Sequence, residues 1–519
     1  MDNSSIIKGS HLKKIAFHGT LYMVGSFLVK SGNVLLLPIY TRALAPAEYA
    51  VFSNLIALGA IAGIFISLYI DIAYARLFFD ANHEPGQLRR LFSTLFFFFL
   101  AWGLAATVVA FFVVRSRTAS LLNIPWYPHI LLACVIPLIT QMSSLAAAHF
   151  RSQHRSVIVT SAKFIGFLVG AAVSVILLLK MRLGAQSLLW GVLARSCVTW
   201  IWYYGCLIRE GIICWQFSFK SLAEALRFSL GLLPMGALQW VAGSFDKLLI
   251  TWFGTLSDSG IYSLAFEVGR VMNVFVLSLF MVYGPMIFAM LKENAQKNVA
   301  RIEQFQSFYF HTLIGLAFFI SIFSPELFGI FVDEKYHAGI GLVPVIAFAF
   351  VFGGIRKLYA TLIYYHKMTL LISLGTILAS LLRFGLNIIL IPHFAGKAAA
   401  WTGLVAAVFL AGYFYLLSRK YEPLRLDRKA TITTLSILAV CLMLVGFCTY
   451  VLDLTFWTLL FAKIVITILA VVLTWFSQFG DELRRVMKRY KEKRLSEVKE
   501  MDESYDLIPK TQENDLYND

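Results

Sequence analysis

Seven basic side chains, Lys30, Lys163, Arg195, Lys247, Arg270, Arg383 and Lys463, fall inside apolar stretches of about twenty residues, where only Asp246 and Glu267 are clearly acidic. A cation at the centre of a bilayer costs roughly 2.5 to 3.5 kcal/mol on insertion scales, so seven facing lipid would cost on the order of 20 kcal/mol. That exceeds the net stability of a typical domain. Most of these cations must therefore face a cavity or a partner. Glu267 and Arg270, three apart on one helix, can pair with each other, and Asp246 can satisfy one further cation. Several cations remain without an acid, and bound anionic groups would supply the missing counter-charge. Anion binding is thus the chemistry predicted here, with Lys30, Lys163, Arg195, Lys247, Arg270 and Arg383 as contact residues and Asp246 and Glu267 as charge partners or coupling groups. Lys463 lies outside the repeated part of the chain. Arg356 and Lys357 sit near a helix end, where long side chains snorkel to the interface. His18, His149 and His311 also lie near span ends and read as solvated rings rather than proton carriers.

The elements that must hold these side chains are membrane helices. The chain of 519 residues is 59% hydrophobic and only 14% charged, with a mean hydropathy of +0.75, whereas a soluble domain carries about 25% charge. Apolar runs place fourteen spans near 15–40, 49–70, 91–114, 128–148, 156–179, 186–207, 226–252, 261–288, 309–332, 340–362, 368–392, 397–417, 430–450 and 455–478. The first is too long for a cleaved signal and stays as a span. The longest connections, of about 20 residues, follow the second and eighth spans, and the aromatic and charged stretch 208–224 should lie along the interface. Pro137, Pro234, Pro285 and Pro344 fall within spans and read as hinges or packing kinks. Loop Lys and Arg number 22 on one side and 7 on the other, which puts both termini in the cytoplasm. Beyond residue 480 the tail is charged, first basic and then acidic, and is expected to be disordered in part.

Residues 19–53 set a pattern: an apolar helix holding a lysine, a short polar turn, then a second helix. It returns about 210 residues later, where Gly260-Ile261-Tyr262-Ser263 matches Ala50-Val51-Phe52-Ser53. The expected fold class is therefore all-α and polytopic, with two six-helix lobes as parallel pseudo-repeats at 1–220 and 221–425, two further helices in 426–480, and a tail at 481–519. Parallel repeats place a cavity between two lobes and suit alternating access. The six cysteines show no CxxC or Cys/His spacing, and no Walker, HExxH or GxSxG motif is present. No metal, cofactor, catalytic residue or nucleic-acid partner is therefore expected.

Two stretches carry a family resemblance. LLLPIYTRALAPAEYAVFS resembles a leucine-rich Pro-x-Tyr-Thr-Arg, x-Leu-x-Pro-x-Glu-Tyr signature at Pro38, Tyr40, Thr41, Arg42, Leu44, Pro46, Glu48 and Tyr49. Residues 227–271, with Pro234, Asp246 and Gly260-Ile261-Tyr262-Ser263, resemble the start of the same family's C-terminal half. The family is the polysaccharide-transport (Wzx-type) branch of the multidrug/oligosaccharidyl-lipid/polysaccharide flippase superfamily. Ala50 stands where that branch often has Gly. The resemblance implies a flippase in the cytoplasmic (inner) membrane. It would move an undecaprenyl-pyrophosphate-linked oligosaccharide through a cationic cavity for O-antigen, capsule or exopolysaccharide synthesis. Its implied partners are the lipid-linked oligosaccharide, membrane lipids, and a polysaccharide polymerase with chain-length proteins. A cation-coupled drug exporter of the same fold and a membrane polysaccharide polymerase are the competing readings. Drug exporters favour acidic cavities, and a polymerase would need a larger outer loop than the roughly 13 residues available here.

Overall fold

A computed structural model describes residues 25, 28–29, 32–81, 85–121, 126–421, 428–450 and 457–474, and these are helical with short breaks; no strand occurs among them. Lys30, His18 and the tail lie outside the described residues. The helices in order are α1 Leu37–Ala43, α2 Pro46–Ser67, α3 Ile70–Ala81, α4 Pro85–Leu121, α5 Leu131–Ser152, α6 Ser156–Leu179, α7 Ala185–Arg209, α8 Phe219–Leu230, α9 Leu233–Phe253, α10 Leu256–Gly269, α11 Val271–Ile322, α12 Ser324–Phe331, α13 Leu342–Tyr365, α14 Thr369–Tyr421, α15 Arg428–Tyr450 and α16 Trp457–Thr474. Among the described residues, nine helices are long and apolar enough to cross a bilayer, or ten if the bent pair Phe219–Val241 and Gly243–Phe253 is one span. The chain is a multi-pass membrane protein.

The nine or ten helices fall short of the fourteen expected spans because 15–40 lies partly outside the described residues, α7 over 186–207 is not among the nine, Ile432–Cys448 is a shorter apolar helix, and the runs at 368–392 and 397–417 form one helix. α14 has 53 residues, roughly 80 Å at 1.5 Å per residue, far more than one bilayer core of about 30 Å. Ala395, at φ 45° and ψ −125°, breaks it near the expected boundary between two spans. α11 continues unbroken through the expected loop at 289–308. The reason is compositional: between Pro285 and Gly315 there is neither Gly nor Pro, so polar helix formers such as Lys292, Glu293 and Gln296 extend the helix instead of ending it. Conversely, Leu68 and Tyr69 both take positive φ and interrupt the apolar run 46–81, after which α3 brings Asp71 into it. Of the four prolines, only Pro137 and Pro285 sit in helix interiors. Pro234 occupies the first turn of α9, where a missing N–H costs nothing.

Contacts divide the chain into two compact units, Met1–Ile302 with Phe323–Leu424, and Glu303–Ile322 with Arg425–Asp519. In the larger unit α6 and α7 form a tight hairpin. Gly166 and Gly170, a GxxxG pair, let α6 approach so closely that a Cβ at Gly170 would lie 2.7 Å from the Gly191 carbonyl oxygen. In the smaller unit Lys463 is 3% exposed and its Nζ donates to the Ile322 carbonyl at 3.3 Å.

Local chemistry recurs at an offset of 210 residues. Thr41 and Thr251, 210 residues apart, each donate their hydroxyl to the carbonyl four residues back, at 2.8 Å to Leu37 and 3.0 Å to Lys247. Glu48 and Asp258 each occupy the third position of a helix and cap it: Glu48 accepts the Ala45 N–H at 2.9 Å, and Asp258 accepts the Thr255 hydroxyl at 2.6 Å. The matching helices α2 and α10 then pack along each other.

Candidate functional site

The seam between the repeated parts is built from small polar residues at one end of the bundle. Ser53 and Ser263 share a hydrogen bond of 2.9 Å. Asn54 donates to the Thr251 hydroxyl at 2.7 Å and accepts from Ser259 at 3.3 Å. Trp240 donates its indole N–H to the Ala57 carbonyl at 2.7 Å. Beyond α12, a turn of 3₁₀ helix, Glu334–Gly339, closes over the end of α1. There Asp333 N–H reaches the Thr41 hydroxyl at 3.2 Å, Lys335 reaches the Arg42 carbonyl at 3.2 Å, and the buried Tyr336 donates to the Leu44 carbonyl at 3.0 Å. Burial raises the Tyr336 phenol above its ordinary range, so it remains a donor at physiological pH. This end of the seam is therefore shut.

Asp246, 2% exposed, is the centre of a buried polar cluster. Its Oδ1 accepts from Asn387 Nδ2 at 2.7 Å and its Oδ2 from the Tyr262 hydroxyl at 3.1 Å. Arg383 forms an ion pair with Oδ2. The Thr402 hydroxyl in turn donates to Asn387 Oδ1. The elements responsible are α9 for Asp246, α10 for Tyr262, and the two arms of α14 for Arg383, Asn387 and Thr402. With both oxygens engaged, Asp246 serves as an anchor for Arg383. Asn387, Tyr262 and Thr402 are absent from the sequence-derived site. The i, i+4 spacing of Arg383 and Asn387 on one apolar helix is the signal that marks the first of them.

The other expected site residues fall into two groups. Lys247, whose Nζ lies 5.7 Å from the Phe266 ring centroid, stands within electrostatic reach of Asp246, Glu267 and Arg270. Glu267 and Arg270 pair as their spacing predicts. On the α6–α7 hairpin, Lys163 is exposed and lies in reach of Arg151 and Arg195. Arg195 packs its Cβ and backbone against Gly166 and Gly170. Among the described residues Lys163, Arg195 and Lys247 have no carboxylate within salt-bridge distance. Lys30 is outside the described residues. His149 departs from its expected solvated state. It is fully buried, ringed by Phe78, Phe92 and Phe150, with its Nδ1 2.6 Å from the Tyr74 hydroxyl. His311 is buried too, its Nδ1 2.6 Å from the Ser307 carbonyl oxygen. Neither ring lies at a solvated helix end, because aromatic side chains cover the last turns of α5 at His149, and His311 falls in the interior of α11.

A cavity of about 260 Å³ lies beside the Asp246 cluster, bordered by α9, α13 and both arms of α14. Its polar lining comes from Gln239, Arg356, Thr376, Ser380 and Arg383, and the remaining walls are mostly Gly and Ala. Arg356 thus borders a chamber instead of snorkelling away from the helices. No group of His, Cys, Asp or Glu among the described residues is arranged to hold a metal.

Residues 39–341 match a family model described as polysaccharide biosynthesis protein. No curated protein sequence is significantly similar to the chain. Among solved structures, the fold is similar to lipid II flippase MurJ in an inward closed conformation, with a TM-score of 0.68 at 15% identity, covering 89% of this chain and 100% of that one. It is also similar to an inward-facing multidrug resistance MATE family transporter of the MOP superfamily, with a TM-score of 0.60 at 14% identity over 75% of this chain and 93% of that one. A MOP superfamily transporter from Pyrococcus furiosus, described as having a binding pocket of reverse polarity, gives 0.54 at 16% identity over 79% of this chain and 96% of that one. At such identities the likeness is one of fold, and the fold is that of the MOP superfamily.

Proposed function

The chain belongs to the polysaccharide biosynthesis protein family, and from that premise we propose that it is a flippase for a polyprenyl-pyrophosphate-linked oligosaccharide in the cytoplasmic membrane. The observation that carries this reading is the surplus of intramembrane cations. Lys163, Arg195 and Lys247 lack carboxylate partners among the described residues, and the main buried carboxylate, Asp246, is already engaged by Arg383. A pyrophosphate and acidic sugars would complete this charge, while the lipid tail stays in the bilayer. The shut end of the seam carries the turns 41–49 and 254–255, on the side poorer in Lys and Arg, which is the outer side if both termini are cytoplasmic. The shut seam then corresponds to a transporter waiting to load from the cytoplasm, and alternating access requires its polar contacts to part.

The test is replacement of Lys30, Lys163 or Arg195 by Ala. Each variant is expected to insert normally yet abolish surface polysaccharide, scored by glycan staining alongside membrane abundance. Normal polysaccharide in all three would refute the reading. Heightened sensitivity to cationic dyes with unchanged glycans on gene deletion would favour drug export instead.

A further inference from the structure

The chamber beside the Asp246 cluster has the composition of a binding site. Arg383 and Arg356 both line it, and Asp246 is the carboxylate that engages Arg383. Among the described residues Arg356 makes no hydrogen bond and no ion pair, so the chamber carries one guanidinium in excess of its acid. Lys357 does not share the task, for its Nζ lies over the Phe280 ring at 5.6 Å from the centroid. The space is real at the atomic scale: a Cβ placed at Gly243 or at Gly353 would meet nothing within 4 Å. At Gly403 the fit is tighter, a Cβ there lying 3.2 Å from the Arg383 terminal nitrogen, so the missing side chain leaves room for the guanidinium to stand against the wall. Gln239 is exposed and supplies a neutral amide at the border of the chamber. The Thr376 and Ser380 hydroxyls already donate to the Ile372 and Thr376 carbonyls, at 2.9 and 2.8 Å. The charged donors are therefore the arginines.

We propose that this cavity, bordered by α9, α13 and α14, is a binding site for a phosphate-type oxyanion, with Arg356 as the free fork and Arg383 held in place by Asp246. A guanidinium presents paired N–H donors in a geometry that matches two oxygens of one phosphorus, which an ammonium cannot do. A volume of about 260 Å³ accommodates a pyrophosphate as well as a single phosphate. The site is distinct from Lys163 and Arg195, which stand on the α6–α7 hairpin. That its natural occupant is the pyrophosphate of the carried lipid rests on the flippase reading; the chamber's affinity for the anion does not.

The experiment measures binding of inorganic pyrophosphate and inorganic phosphate to the purified full-length protein in detergent, by calorimetry and by ligand-induced thermal stabilisation. Wild type is expected to bind pyrophosphate, and R356Q to bind it at least about tenfold more weakly, as loss of a charge-assisted contact predicts. R356K, which keeps charge and loses the fork, should fall between them. G353L leaves both arginines intact and fills the space, and should also abolish binding, while K180A, at the exposed end of α6, should bind as wild type does. Equal affinity in wild type, R356Q and G353L would overturn the proposal, as would loss of binding in K180A alone. In reconstituted vesicles the same variants separate the two readings. Pyrophosphate binding lost in R356Q, together with no movement of a polyprenyl-pyrophosphate glycolipid by wild type, would sustain the chamber and assign it to a free or headgroup phosphate. It would remove the flippase reading alone.

Discussion

Replacing Asp246 by Leu should unfold a large part of the larger unit's stability. The carboxylate is 2% exposed and accepts from Asn387 at 2.7 Å, from Tyr262 at 3.1 Å and from the Arg383 ion pair. Removing one partner of a buried ion pair leaves an uncompensated charge and costs about 3–5 kcal/mol. Arg383, whose side chain is only 15% exposed, would be left in that state. The Asn387 and Tyr262 donors would each lose an acceptor, at about 1–3 kcal/mol apiece where no water replaces it. The total, on the order of 5 kcal/mol or more, approaches the net stability of many proteins. D246L/R383L is expected to recover the ion-pair part of the loss, about 3–5 kcal/mol, but not the cost of the Asn387 and Tyr262 donors, since removing both charges together is near neutral in many buried pairs. The assay is reversible denaturant unfolding of the detergent-solubilised protein, run as a double-mutant cycle over wild type, D246L, R383L and the pair. Two results would refute the reasoning: D246L as stable as wild type, or the double variant no better than the worse single one.

Three further outcomes follow from the geometry. Ser53→Val should cost about 1–3 kcal/mol by leaving the buried Ser263 hydroxyl unpaired, whereas Ser263→Val should cost less, because the Ser53 hydroxyl keeps the Ala50 carbonyl at 3.2 Å; equal losses in the same unfolding assay would contradict this. Gly260→Val should lower the thermal midpoint and reduce transport, because a Cβ there would stand 1.9 Å from the Pro46 carbonyl oxygen and would force α2 and α10 apart. Ala395→Gly should stabilise by roughly 1 kcal/mol, since φ 45° and ψ −125° suit glycine, while Ala395→Val should destabilise; unchanged midpoints in both would contradict the strain.

Much of the helical pattern was legible because a bilayer demands continuous apolar runs. The span 156–179 coincides with α6, and its boundaries follow from Ser156 and Lys180 flanking a stretch in which Lys163 is the one charged residue. Polarity alone misled at 289–308, where charged residues remain good helix formers and nothing breaks the backbone. Glu267 and Arg270 were readable as a pair because they are neighbours on one helix. Asp246 and Arg383 lie 137 residues apart, and only tertiary packing brings them together. Asp71 was hidden by the same reasoning that found the spans. It lies just past the expected end of one, yet the break at Leu68 and Tyr69 returns the chain to the bundle, where Asp71 accepts the Ser144 hydroxyl at 2.9 Å.

The contact between Ser53 and Ser263 joins counterparts at the 210-residue offset. If a two-fold relates the two stretches, a position that touches its own counterpart lies on that axis. A hydroxyl suits such a place because it can give or receive, so neither copy has to differ from the other for the bond to form.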